Sequence, residues 1–71
     1  MAMFTIKVKC FNQHTNENVC KHFEWHKESG RLCEVANDSV YAAGTCDTEE
    51  DAMCRVVELC KKHGLIVLCF E

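Results

Sequence analysis

Residues 47–70 read DTEEDAMCRVVELCKKHGLIVLCF and predict one helix followed by one strand. Either Asp47 or Thr48 can cap the helix, because a carboxylate follows each of them three residues later, as in a capping box. The acidic first turn and the basic last turn suit the helix dipole, and Gly64 supplies the left-handed residue that ends the helix. The apolar run that follows predicts a closing strand over residues 65–70.

The residues before this helix predict a set of antiparallel strands. Residues 4–10 alternate apolar and polar side chains, as a half-buried strand does. Strands at 19–27, 32–36 and 39–43 follow, and the turns between them lie at 28–31 and at Asn37-Asp38. The sequence therefore predicts a single α+β domain over residues 1–71. It is an antiparallel sheet of four to five strands with one helix on one face, in the order β-β-β-(β)-α-β. The predicted core consists of Phe4, Ile6, Val8, Phe23, Trp25, Leu32, Met53, Val56, Leu59, Cys60 and Val67.

Seven cysteines in 71 residues resemble the density of a secreted disulfide scaffold. The odd count, the absence of proline and the presence of only three glycines argue against that class. The N-terminal residues do not form a signal peptide, and no apolar run is long enough for a membrane helix. We therefore expect a cytoplasmic protein with reduced thiols and no membrane association. The net charge of −3 makes nucleic acid an unfavourable partner.

Most of the cysteines have structural interpretations. Cys10, Cys60 and Cys69 occupy apolar positions and are predicted to act as small hydrophobic residues. Cys54 lies outside the apolar stripe of the helix and is predicted to be exposed, and Cys46 belongs to the turn before the helix.

One cluster keeps a chemical hypothesis open. Cys20, His22, His26 and Cys33 are expected on one face of a hairpin, and a two-residue turn at Ser29-Gly30 would place His26 opposite Cys33. These residue types bind zinc, although neighbours on one side of a strand stand about 7 Å apart and converge poorly on one ion. The alternative is a solvated polar face. No oxyanion site accompanies the cluster, so the sequence predicts a protein without catalytic residues. It also predicts no cofactor, with zinc on this cluster as the one alternative.

Residues 65–70 are apolar on both faces, unlike a half-buried strand. The strand is therefore either central in the sheet or covered by another chain, such as a protein partner or a second copy. The side chains predicted to bind a partner are those of this strand and of the acidic helix surface. They are Glu50, Asp51, Glu58, Ile66, Leu68 and Phe70.

Residues 40–52 resemble the strand-to-helix junction of AP2-type domains and of the arm-binding domains of phage integrases. The matching positions are Gly44, Thr45, Thr48, Glu50 and Ala52. The resemblance implies three antiparallel strands followed by a helix, over about residues 21–63. It also implies a DNA-reading sheet face, for which this chain offers Lys21, Trp25, Lys27 and Arg31. Interleaved glutamates make that segment net acidic, which disfavours DNA.

The whole chain also resembles, in size, charge and organisation, the small acidic proteins that phages direct against host machinery, anti-CRISPR proteins among them. This resemblance implies an inhibitor that acts in the host cell cytoplasm by covering the surface of a host protein. The function expected from the sequence is therefore non-enzymatic protein binding. A zinc module and a DNA-binding β-β-β-α domain remain as alternatives.

Overall fold

The computed structural model describes residues 3–71, which form a five-stranded antiparallel sheet with one helix. The elements follow the order β-β-β-β-α-β, which confirms the predicted α+β class. Their bounds are β1 Met3–Asn12, β2 Glu17–His26, β3 Arg31–Ala36, β4 Ser39–Thr45, α1 Glu49–Lys62 and β5 Leu65–Phe70.

The spatial order of the strands is β4-β3-β2-β1-β5, so the last strand lies at an edge of the sheet. The chain leaves β4 at one edge, crosses one face as α1 and returns at the other edge, where β5 pairs antiparallel with β1. Of the two alternatives for β5, the central position in the sheet is therefore wrong. An edge strand has a row of backbone N–H and C=O groups that no neighbouring strand pairs.

The hairpin between β2 and β3 differs in register from the one predicted. Glu24, and not His26, lies opposite Cys33. The cause is Gly30, which has a φ of +73° and whose N–H donates to the carbonyl of His26 at 2.7 Å. The loop therefore spans residues 27–30, four residues in place of two.

The turn between β3 and β4 lies at the predicted Asn37-Asp38. Both residues have a positive φ, +50° and +64°, as the tight hairpin turns that match strand twist require.

The helix begins at one of the two residues predicted to cap it. Thr48 is the N-cap, and its Oγ1 accepts a hydrogen bond from the N–H of Asp51 at 3.1 Å. Ala52, Val56 and Cys60 recur every four residues and are buried against the sheet. No helix within residues 3–71 has the length and apolar character needed to cross a membrane.

The core lies between α1 and one face of the sheet. The buried residues are Ile6, Val8, Cys10, Phe23, Trp25, Leu32, Cys46, Ala52, Val56, Cys60 and Leu65. The predicted core residues Met53, Leu59 and Val67 are only partly buried and pack against this cluster. The prediction that Phe4 belongs to the core is wrong, because this residue is 38% exposed. The ring of Phe4 packs on that of Trp25, with centroids 5.7 Å apart. Because β5 pairs with β1 only from Val8 onward, no strand lies beside Phe4 at the β5 side of β1.

Candidate interaction surface at the edge of the sheet

The most exposed apolar strip of β5 consists of three side chains. Ile66, Leu68 and Phe70 are 46%, 55% and 37% exposed. The strand contains no charged residue, although charged side chains are the common means of blocking an exposed edge. We call this strip, together with the outer backbone of β5, the β5 edge.

A bulge explains how both sides of β5 come to be exposed. Val67 pairs with Cys10 and Cys69 pairs with Lys9, so Leu68 has no partner on β1. Ile66 pairs with Phe11 on the face away from the helix, while Phe70 pairs with Val8 on the helix side. The apolar residues of the β5 edge therefore point to more than one side, and one covering element inside the chain could not bury them all.

A shallow groove runs beside the β5 edge, between β5 and α1. It has a volume of about 290 Å³, and Val57 and Lys61 of the helix line it together with Leu65, Ile66 and Val67. Val57 is 36% exposed there. Val57 is neither in the predicted core nor among the predicted partner-binding residues. The apolar stripe of the helix is wider than one sheet face covers, which was a signal that part of it would stay exposed, but not of which strand would lie beside that part.

The acidic residues predicted to bind a partner are exposed, but they do not join the β5 edge as one site. Asp51 and Glu58 line a second groove, with Cys46 and Arg55, at the β4 side of the helix. Glu58 also lies 3.7 Å from the guanidinium of Arg55. Glu50 lies seven residues before Val57, so it shares the helix face that borders β5. The six predicted residues therefore divide between two surfaces.

The histidine–cysteine cluster lies on the sheet face opposite the helix, which we call the free face. Cys20 is exposed, whereas His22, His26 and Cys33 are partly exposed. The imidazole Nε2 of His22 is buried, has no hydrogen-bond partner within residues 3–71, and lies 3.9 Å from the Glu24 carboxylate. Among the described residues, no group of three or more acidic, histidine or cysteine side chains is arranged to hold a metal. Zinc binding stays an untested alternative, and the register that separates His26 from Cys33 disfavours it.

All seven thiols are free, and the cysteines are buried, partly exposed as Cys33 is, or exposed. Cys10, Cys46 and Cys60 are buried, and the sulfurs of Cys10 and Cys60 lie 3.8 Å apart. Burial, with a smaller effect of the hydrogen bond to Cys10, raises the pKa of Cys60 to about 12. Cys54 is exposed as predicted. The prediction for Cys69 is wrong, because an edge strand leaves it exposed.

Two of the four residues suggested for DNA reading lie away from the free face. Trp25 is buried on the helix side, and its indole N–H donates to the carbonyl of Cys46 at 3.1 Å. The Lys21 ammonium lies 3.0 Å from the Glu34 carboxylate. Lys21 pairs with Val8, and this places it on the helix side as well. The arrangement that the AP2 resemblance implies is therefore incomplete in this chain.

Comparison of the chain with protein-family models, with curated proteins and with solved structures finds no match.

Proposed function

We propose that this chain is a non-enzymatic protein-binding domain whose partner adds an extended segment to the β5 edge. The observation that carries the proposal is an uncharged edge strand with Ile66, Leu68 and Phe70 exposed. Strand addition uses the unpaired backbone of an edge for affinity and alternate side-chain positions for specificity. The β5 edge offers both, with the groove beside Val57 as the apolar pocket.

The other edge is less suited to this role. The side chain of Arg55 crosses toward β4, and its Nε donates to the carbonyl of Ala43 at 3.5 Å. Both edges contain a bulge, at Ala43 in β4 and at Leu68 in β5, so irregularity does not distinguish them. The difference is the Ala43 carbonyl, which Arg55 already occupies, and an edge with an occupied carbonyl pairs less well with an added strand.

The experiment is affinity capture from the organism that encodes the chain, with three forms as bait. The wild type and the control Val40→Lys should retain the same partner, because Val40 is an exposed apolar residue of the opposite edge. Ile66→Lys should lose it, because a lysine on β5 opposes the docking of an apolar segment. Equal capture by all three forms would refute binding at β5, and capture of no other protein by any of them would refute a partner other than a second copy of the chain.

The narrower form of the proposal is an inhibitor, encoded by a phage or mobile element, that covers a host protein in the cytoplasm with its thiols reduced. Its support is the resemblance of size, acidity and organisation to anti-CRISPR proteins. The test is expression in a bacterial strain with active CRISPR immunity, followed by plating of a targeted phage. Restored plaque formation with the wild type and none with Ile66→Lys is the expected result. Unchanged immunity in strains that carry each of the main CRISPR types would reject an anti-CRISPR role.

A further inference from the structure

We propose that the segment added at the β5 edge is the β5 strand of a second copy, so that two chains form a symmetric dimer with a continuous ten-stranded sheet. This inference rests on the proposed function, since it requires β5 to accept a strand. The two β5 strands would run antiparallel about a two-fold axis near Leu68.

The position of the helix agrees with such an axis. Lys61 and Val57 border Leu65 and Ile66 at one end of β5, while Met53 and Glu49 border Phe70 at the other. The helix therefore runs antiparallel to β5, with its middle beside Val67 and Leu68. One two-fold axis through the middle of β5 consequently relates both the strands and the helices.

The spacing of the two helices follows from the sheet. The helix contacts β5, and it contacts β1 and β2 to the same extent, which centres it over β1. Strands stand about 4.8 Å apart, so helices over β1 of each copy would lie about 14 Å apart across the axis. That exceeds the roughly 8–10 Å at which helices pack, so the two helices would meet through long side chains such as those of Glu50 and Lys61.

The charges of this helix flank are complementary to a second copy of themselves. Glu50, Val57 and Lys61 lie on one face, at spacings of seven and four residues. Antiparallel helices about the axis would place Glu50 of each copy near Lys61 of the other. Within residues 3–71 neither side chain takes part in an ion pair. Both are therefore free for a partner, and the pairing would occur twice because the interface is symmetric.

The symmetry also explains why an exposed apolar edge need not lead to fibres. A β5–β5 contact uses the same surface on both chains and closes after two copies, whereas a β5–β4 contact would repeat without limit. The occupied carbonyl of Ala43 at the β4 edge disfavours the second arrangement.

The test is a charge-exchange series measured by analytical ultracentrifugation of the full chain over a range of concentrations. The wild type should sediment with twice the mass of one chain at high concentration. Glu50→Lys and Lys61→Glu should each raise the dimer dissociation constant about tenfold, because each places like charges together twice. The double variant should return it to within about twofold of the wild type, because the pairs are restored in reverse.

Two further measurements test whether the changes in the dimer dissociation constant come only from a loss of folding stability. Each charge reversal also opposes the helix dipole, so the double variant should be the least stable monomer although its dimer recovers. Asp51→Lys reverses a charge in the same helical turn but at the β4 side, and it should leave the dissociation constant unchanged.

Failure of the dimer proposal and failure of the proposed function would give different results. A wild type that is monomeric at every concentration, or a double variant that dimerises no better than the single ones, would overturn the dimer proposed here. Capture of a different protein that is lost in Ile66→Lys would still support strand addition at β5.

Discussion

The indole N–H of Trp25 donates to the carbonyl oxygen of Cys46 at 3.1 Å, and this bond fastens β2 to the junction between β4 and α1. The N–H of Cys46 in turn donates to the carbonyl of Gly30 at 2.7 Å. Cys46, which lies three residues before the first residue of the helix, is therefore held both by the core tryptophan and by the β2–β3 turn. The two bonds anchor the segment that leads into the helix to β2 and to the β2–β3 turn.

Removal of the indole N–H should destabilise the fold. Trp25→Phe leaves the buried Cys46 carbonyl without its donor, so we expect the free energy of unfolding to fall by about 1–3 kcal/mol. Urea denaturation followed by far-UV circular dichroism measures this change, since the chain has a single tryptophan and the variant loses its fluorescence. Tyr41→Phe, at an exposed position, is the control and should be close to neutral. Equal stability of Trp25→Phe and wild type would contradict a structural role for the bond.

Two glycines with similar backbone conformations should respond differently to substitution. Gly30 and Gly64 have φ values of +73° and +77°, so alanine is strained at both. A Cβ at Gly30 would lie 2.9 Å from the backbone oxygen of Cys46, whereas at Gly64 it would meet the end of the His14 side chain, which can move. We expect Gly64→Ala to cost about 1–2 kcal/mol for its backbone strain, and Gly30→Ala to cost clearly more. Thermal or urea unfolding of the two variants decides the order, and the reverse order would refute the close approach at Cys46.

The buried thiol of Cys60 should make stability depend on alkaline pH. Its folded pKa of about 12 lies above the ordinary value of 9.0 for a thiol, so the unfolded chain releases this proton first as the pH rises. The contribution is therefore complete below about pH 9 and is lost progressively between pH 9 and 12. Unfolding free energies of the wild type measured across this window should fall more steeply than those of Cys60→Ala. Parallel curves for the two proteins would show that Cys60 does not titrate in this way.

Thiol labelling provides a second measurement of the same burial. Cys20, Cys54 and Cys69 are exposed and should react with a maleimide in the folded protein at neutral pH, whereas Cys10 and Cys60 should react only after unfolding. Peptide mass mapping identifies the labelled residues. Rapid labelling of Cys60 in the folded protein would contradict its placement in the core.

The free face gives a prediction about zinc. Because Glu24 lies opposite Cys33 and His26 does not, we expect no stoichiometric zinc on Cys20, His22, His26 and Cys33. Native mass spectrometry of protein prepared with added zinc measures this directly. One tightly bound zinc that is lost in both His22→Ala and Cys33→Ala would restore the zinc-module hypothesis.

The site could be predicted only in part from the sequence. The apolar character of residues 65–70 predicted a strand that is either central in the sheet or covered by another chain, with Ile66, Leu68 and Phe70 as partner-binding residues, and all three are exposed. The sequence could not join Val57 to them, because the exposure of a helix flank depends on which strand lies beneath it. Nor could the sequence give the register between β2 and β3, because the same residues fit a two-residue loop at Ser29-Gly30 and a four-residue loop that ends at Gly30.

The sequence by itself determined the order of the elements and several of their boundaries. Thr48 and Gly64 bound the helix, Asn37 and Asp38 form a turn, and alternation marks the first strand, because each of these depends on residues close together in the chain. Only the tertiary structure decided that β5 pairs with β1 at an edge of the sheet. Strand order depends on contacts between residues far apart in sequence, and an apolar run fits a central strand and a partner-covered edge equally well. The exposed edge to which we assign the function is therefore a property of the folded chain.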